Sequence, residues 1–167
     1  MPALIFIDQL SKWAVTELLL RPASGGNSYG FIDWALDAPM PLSFSSIEIT
    51  SFFNLVMVWN KGVSFGMFQA SEQMGVWLLS GFAVIVSIGF FIWMLRSHSK
   101  LQKWALALVI AGAIGNVIDR LRFGGVIDFL DFHAFGWHYP AFNIADSLIV
   151  IGVIMLLFHN LFLEKTP

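Results

Sequence analysis

Asp119, Arg120, Asp128, Asp131 and Asp146 lie in the stretch from Gly115 to Ser147, between two long apolar runs. Carrying one aspartate to the centre of a membrane helix costs roughly 2.5–3.5 kcal/mol, so acids in such company mark a candidate functional site. Asp128 follows Gly124-Gly125-Val126-Ile127, and Asp146 stands in Phe142-Asn143-Ile144-Ala145-Asp146-Ser147 at the start of the last apolar run. If the flanking runs are antiparallel neighbours, their ends bring two carboxylates to one water. Like charges about 4 Å apart repel by roughly 4 kcal/mol at an effective dielectric of 20, so one acid is protonated when the other is ionised. Aspartyl peptide hydrolysis uses that split: the carboxylate takes a proton from water, and its protonated partner polarises the scissile carbonyl. A plainer reading stands beside it. Asn143 with an acid three residues on fits a helix N-cap, and Asp128 fits a solvated loop acid; spacing alone leaves both open.

Three further groups could support such a site. Asn116 and Arg120 share a helix face at i and i+4, either as a polar shell orienting carboxylates or substrate, or as an interfacial anchor in which Asp119 pairs with Arg120 or Arg122. Asp8 and Lys12 have the same spacing inside the first apolar run; mutual pairing offsets much of the cost of burying either, which favours a structural role. Asn60, next to Gly62 and near Gly66, is an amide that can hydrogen-bond an extended peptide backbone or simply close a turn.

Other chemistries lack their residues. His133 and His138 are not joined by an HExxH motif, so a zinc peptidase has no ligand set and no metal is expected. Ser147 lacks a G-x-S-x-G context. The chain has no cysteine, hence no disulfide framework or thiolate metal site. A net charge of −2 with no basic run argues against nucleic acid, and the many Trp and Phe residues suit interface belts and lipid-facing packing better than a cofactor box.

The elements that must hold these residues are membrane helices. With 57% hydrophobic and 12% charged residues among 167, and a mean hydropathy of +0.76, the chain is too apolar for an ordinary soluble domain. Four windows approach the roughly 20 residues needed to cross the hydrocarbon core: about 4–20, 74–95, 103–118 and 142–163. Residues 1–167 are therefore expected to form a single polytopic domain, mainly α. No Lys or Arg precedes the first run, and Asp8 and Lys12 interrupt it, which argues against a cleaved signal peptide. Arg96, Lys100 and Lys103 make the linker between the second and third windows basic and, by the positive-inside rule, cytoplasmic. Both termini are then cytoplasmic, and the loop at 21–73 and the acids near Asp128 face outward. That loop opens turn-rich, with Pro39 and Pro41 further on, and then alternates: Ser43–Thr50 and Phe53–Trp59 are rich in β-branched and aromatic residues, the pattern of short strands. A carboxylate-lined transporter is the rival from another class, but it calls for acids near the midplane and an internal repeat, which the chain lacks. A noncatalytic assembly subunit would leave both aspartates replaceable.

Asp8-Gln9-Leu10-Ser11-Lys12, Trp59-Asn60-Lys61-Gly62-Val63-Ser64-Phe65-Gly66, Gly115-Asn116-Val117-Ile118-Asp119-Arg120, Gly125-Val126-Ile127-Asp128-Phe129 and Phe142-Asn143-Ile144-Ala145-Asp146 occur in this order across nearly the whole chain. In this the sequence resembles the lipoprotein signal peptidases, the type II bacterial signal peptidases. The resemblance implies an inner-membrane aspartyl endopeptidase with four transmembrane helices and an outward β-rich cradle, needing no cofactor. It implies prolipoprotein substrates whose lipobox cysteine already carries diacylglycerol, cleaved just before that cysteine, and inhibition by globomycin-like cyclic peptides. On matching positions, Asp128 and Asp146 would be the catalytic pair. Asn60, Asn116, Arg120 and Asn143 would bind and orient substrate, with Asp8, Lys12 and Asp119 as structural support. Trp59, where many members carry Arg, and Ala111, where many carry a second glycine before Gly112, depart from the pattern and bear on fine substrate contacts only.

Overall fold

A computed structural model describes residues 1–37, 42–62 and 72–163; Val63–Gly66 of the Asn60 motif, Pro39 and Pro41 lie outside them. Helix α1 (Pro2–Trp13) continues through a π-helical segment, Ala14–Leu20, into the single turn α2 (Arg21–Ala23). A short helix α3 (Phe31–Asp37) follows, then strands β1 (Ser46–Thr50) and β2 (Phe53–Asn60). Two long helices, α4 (Glu72–Arg96) and α5 (Lys100–Phe123), lead to strands β3 (Val126–Ala134) and β4 (Trp137–His138) and the last helix, α6 (Ile144–Phe158), which ends in a π-helical segment, His159–Leu163.

Among the described residues, three helical stretches are long and apolar enough to cross a membrane: Gln73–Arg96, Lys100–Phe123 and Ile144–Leu163. The third window thus extends beyond 103–118 at both ends. Ser99 caps its start by accepting from Gln102 N, and Gly124, at φ 75, ends it in the left-handed region. The window at 4–20 is helical throughout, but it buries Asp8, Gln9, Lys12, Thr16 and Glu17, which lower its hydropathy. These side chains face the protein rather than lipid. Helix α5 is central: 56% of its apolar window is buried, against 11% for α4 and 17% for α6, and it packs against α1, α4 and α6.

Small residues set the helix spacing. A side chain at Gly152 of α6 would place its Cβ 2.6 Å from the Ala105 carbonyl of α5, and one at Gly115 would come 2.7 Å from Asp8 Oδ2. Both glycines allow backbone approach that a methyl group would block. Beneath this contact lie Ala105, Leu106, Val109 and Leu156.

The four strands form an antiparallel sheet in the order β1-β2-β3-β4. The alternating segments at Ser43–Thr50 and Phe53–Trp59 supply β1 and β2, as expected. Helix α3 and strand β3 correct the sequence reading: Asp128 sits inside a strand, not a loop. Odd-numbered Ile127 and Phe129 of β3 join Leu20, Trp34 and Met57 in a buried apolar cluster, which puts Asp128 on the opposite face. Pairing of β2 with β3 slips by one residue between Leu55 and Val58. Beyond this bulge Val58 faces Asp128 and Asn60 faces Val126, so Asn60 and Asp128 share a sheet face. Without the extra residue Asn60 would point to the other side.

Candidate active site

The site forms where the C-terminal end of α5 and the N-terminal end of α6 meet β2 and β3. Asn143 is the N-cap of α6: its side-chain oxygen accepts from Asp146 N at 2.9 Å, and Asp146 Oδ2 accepts in return from Asn143 N at 3.2 Å. The capping reading is therefore correct. It is also the device that fixes Asp146, because a reciprocal cap satisfies two helix-end donors and locks the acid's rotamer.

The same Asn143 reaches the other acid. Its Nδ2 donates to Asp128 Oδ1 at 2.8 Å, and lies 3.2 Å from Asn116 Oδ1 and 3.1 Å from the Ile127 carbonyl. Asn116 Nδ2 donates to Asp146 Oδ1 at 2.8 Å. Asn60 Nδ2 donates to Asp128 Oδ2 at 3.0 Å, while its own oxygen accepts from Gly62 N at 2.9 Å. Two carboxylates from separate elements are thus joined through one pair of asparagine amides. Asp128 is 1% exposed. Burial pushes its carboxyl from 3.8 up to about 7, the Asp146 charge adds to the rise, and hydrogen bonds from Asn60 and Asn143, with the charge of Lys12, pull against it.

A buried ionic group stands behind this pair. Lys12 Nζ lies 2.8 Å from Asp8 Oδ2 and 2.7 Å from Asp119 Oδ2, all three side chains being fully buried. Asp8 pairs with Lys12 as expected. Asp119 does not pair with Arg120 or Arg122: its carboxylate takes Lys12, Gln9 Nε2 at 2.8 Å and the backbone N–H of Ile127 at 3.2 Å. Asp8 Oδ1 accepts from Ala145 N at 2.9 Å. Each acid of the ionic group therefore holds the backbone one residue before Asp128 or Asp146. Charge pairs between distant segments leave no trace in local spacing, and Gln9, which binds both Asp8 and Asp119, escaped the sequence reading altogether.

Arg122 donates to Gln9 Oε1 and to the Trp34 carbonyl and lies over the Trp34 and Phe123 rings. Arg120 faces the Asp146, Asp119 and Asp128 charges, and its Nε has no hydrogen-bond partner among the described residues. It lines a cavity of about 380 Å³ with Lys61, Gln73 and Trp77. Two other cavities flank the acids. One of about 440 Å³ opens on Asp128, Asn60 and the end of β2 with the two residues after it, Lys61 and Gly62; a larger, apolar one of about 710 Å³ opens on Asp146. Among the described residues no cluster of three His, Cys, Asp or Glu is placed to hold a metal ion.

A family model described as signal peptidase (SPase) II matches residues 1–162. The chain belongs to the signal peptidase II family. Relatives carrying the name lipoprotein signal peptidase include that of Ralstonia nicotianae, 48% identical over 94% of this chain and 79% of its own length, and that of Janthinobacterium sp., 44% identical over 95% and 83%. A solved bacterial membrane enzyme, determined in meso at 1.9 Å resolution, superposes with a TM-score of 0.68 at 26% identity, covering 98% of this chain and 89% of its own. Membership makes the chain an aspartic peptidase of the signal peptidase II type and, with its apolar helices, a bacterial membrane protein. Nothing in these matches supports the carrier alternative.

Proposed function

We propose that this protein removes signal peptides from diacylglyceryl-modified prolipoproteins, cleaving before the lipid-modified lipobox cysteine, with Asp128 and Asp146 as its catalytic pair. The observation that carries this reading is the amide bridge: Asn143 and Asn116 join both carboxylates, and Asp128 has a proton affinity raised to about 7. Burial and the neighbouring Asp146 charge thus favour the protonated form of Asp128. The ionised member takes a proton from the attacking water, the protonated member donates to the scissile carbonyl oxygen, and collapse of the tetrahedral adduct returns a proton to the leaving amine. No covalent intermediate forms.

Asn143, Asn116 and Asn60 hold the acids in register, and the cavity beside Asn60 and Asp128 is where the peptide backbone is placed. Arg120, which faces the charges of Asp146 and Asp128 and lines the neighbouring cavity, is the donor for a substrate carbonyl. Asp8, Lys12 and Asp119 support the two backbone segments.

The membrane arrangement belongs to the same reading. Residues 1–167 act as one polytopic unit with four spans, α1 and its π-helical extension being the first, its polar residues turned inward. The basic linker Arg96–Lys103 is cytoplasmic, as are both termini. The sheet and the acids then lie at the periplasmic surface of the inner membrane, where lipid-anchored substrate arrives and where globomycin-like cyclic peptides would compete for the peptide site. The test is cleavage by the purified protein in lipid of a diacylglyceryl-modified precursor and its unmodified form. Mass spectrometry should find one cut, directly before the modified cysteine, in the modified precursor alone. Equal cleavage of both precursors, or a cut elsewhere, refutes the assignment.

A further inference from the structure

Gln9 and Arg122 meet behind the acids, and neither lines a cavity that opens on Asp128 or Asp146. Gln9, in α1, is 8% exposed, and Arg122 stands in the last turn of α5. The Arg122 guanidinium lies 4.4 Å from the ring centroids of both Trp34 and Phe123, and it donates to the Trp34 carbonyl and, at 3.2 Å, to Gln9 Oε1. On its other side the Gln9 amide donates through Nε2 to Asp119 Oδ1 at 2.8 Å and to Asp8 Oδ2 at 3.2 Å, with the Gly115 carbonyl at 3.4 Å.

Only one orientation of that amide satisfies both sides. A guanidinium has donors and no acceptor, whereas carboxylate and carbonyl oxygens accept. With Oε1 toward Arg122 every contact pairs a donor with an acceptor; turned over, the amide would set its NH2 group against the guanidinium and its oxygen against two carboxylates. Arg122 is therefore the anchor that keeps the amide against Asp8 and Asp119. Those acids in turn grip the backbone next to the proposed pair: Asp8 Oδ1 accepts from Ala145 N at 2.9 Å, and Asp119 Oδ2 from Ile127 N at 3.2 Å. Lys12 attracts both acids as a point charge with rotatable donors, which constrains their rotation little. The planar Gln9 amide presents its N–H bonds in fixed directions and sets that rotation.

We infer that Gln9 is a positioning residue for the peptidase reaction and that Arg122 holds it in register. The amide fixes the mutual placement of Asp8 and Asp119 and, through Ala145 N and Ile127 N, the separation of Asp146 and Asp128. This rests on the function proposed above, with Asp128 and Asp146 as the catalytic pair. Neither Gln9 nor Arg122 touches the reacting atoms, so their effect belongs to kcat of the folded enzyme rather than to substrate affinity. A purely structural brace would instead change stability and leave kcat alone.

The experiment is a double-mutant cycle on cleavage of a diacylglyceryl-modified prolipoprotein in lipid, with kcat taken per folded enzyme from the unfolding transition. Gln9→Met keeps the side-chain length without hydrogen bonds. It should lower kcat roughly 10-fold and hold KM within about 2-fold, because a misplacement of about 1 Å costs on the order of 100-fold and this one is smaller. Arg122→Met should lower kcat roughly 3- to 5-fold, and the double variant should be no slower than Gln9→Met alone, since Arg122 acts through Gln9. Arg122→Lys, which keeps a donor, should recover part of the loss. Losses that multiply in the double variant, a folded Gln9→Met with kcat within about 2-fold of wild type, or a change confined to KM overturns this inference and leaves the peptidase assignment standing. If Gln9→Met does not fold, Arg122→Met decides: an unchanged kcat in that folded variant overturns the inference. No cleavage by the wild-type protein overturns the assignment itself.

Discussion

Replacing Asp128 by Asn should stabilise the protein, and only at higher pH. The folded carboxyl is raised from 3.8 to about 7. Between those values the folded state binds more protons than the unfolded state, so stability is fully present below about pH 4 and falls as pH rises through 7. At 1.36 kcal/mol per tenfold change in proton affinity, the charge at pH 8 costs about 4 kcal/mol relative to a neutral group. An asparagine amide accepts from only one of the two donors, Asn60 Nδ2 and Asn143 Nδ2, that now serve the carboxylate. This takes back about 1 kcal/mol and leaves a net gain of about 3 kcal/mol at pH 8. Thermal or denaturant unfolding of both proteins in one detergent, at pH 4.5 and pH 8, reads the difference directly. The stability gap should open with pH while activity is lost, as expected where function requires a costly buried acid. A gap that is equal at both pH values, or a wild type that gains stability toward pH 8, would refute the derivation.

Three other perturbations separate the parts of the site. Asn143→Ser keeps an oxygen to cap α6 but removes the amide donor to Asp128; helix stability should change by a few tenths of a kcal/mol while turnover falls about 10²-fold. Because that hydrogen bond favours the charged form, its loss raises Asp128 further, and the alkaline limb of the pH–rate profile should move to higher pH. Lys12→Met leaves Asp8 and Asp119 buried without their shared cation and should cost about 3–5 kcal/mol in unfolding free energy, partly recovered by adding Asp119→Asn; a loss below about 1 kcal/mol would mean that the ion pair is not structural. Gly152→Ala puts a methyl group 2.6 Å from the Ala105 carbonyl and should lower stability by about 1–3 kcal/mol, measured by thermal unfolding.

The acids themselves were legible in the sequence because membrane cost singles them out: Asp128, Asp146 and the Asp8–Lys12 pair all stand where apolar residues would be cheaper. Asn143 was legible as a helix cap, and the structure adds to the cap a hydrogen bond from the same side chain to Asp128. The alternation around Ile47 and Leu55 announced strands, but Val126–Ala134 did not, since its acids interrupt the pattern and its partner β2 lies some 70 residues earlier in the chain. The bulge that turns Asn60 toward Asp128 is a property of pairing, not of either strand alone. Lys12 meeting Asp119, and Asp131 gathering Asn54 and His138, depend likewise on contacts between segments far apart in sequence.

Turnover of a diacylglyceryl-modified prolipoprotein by Asp128→Asn and Asp146→Asn, each shown to be folded by its unfolding transition, tests the proposed pair most directly. Both variants should fall by at least about 10³-fold in kcat, because each lacks either the base or the acid. If either one, well folded, keeps more than about a tenth of wild-type turnover, the two aspartates are not the catalytic pair.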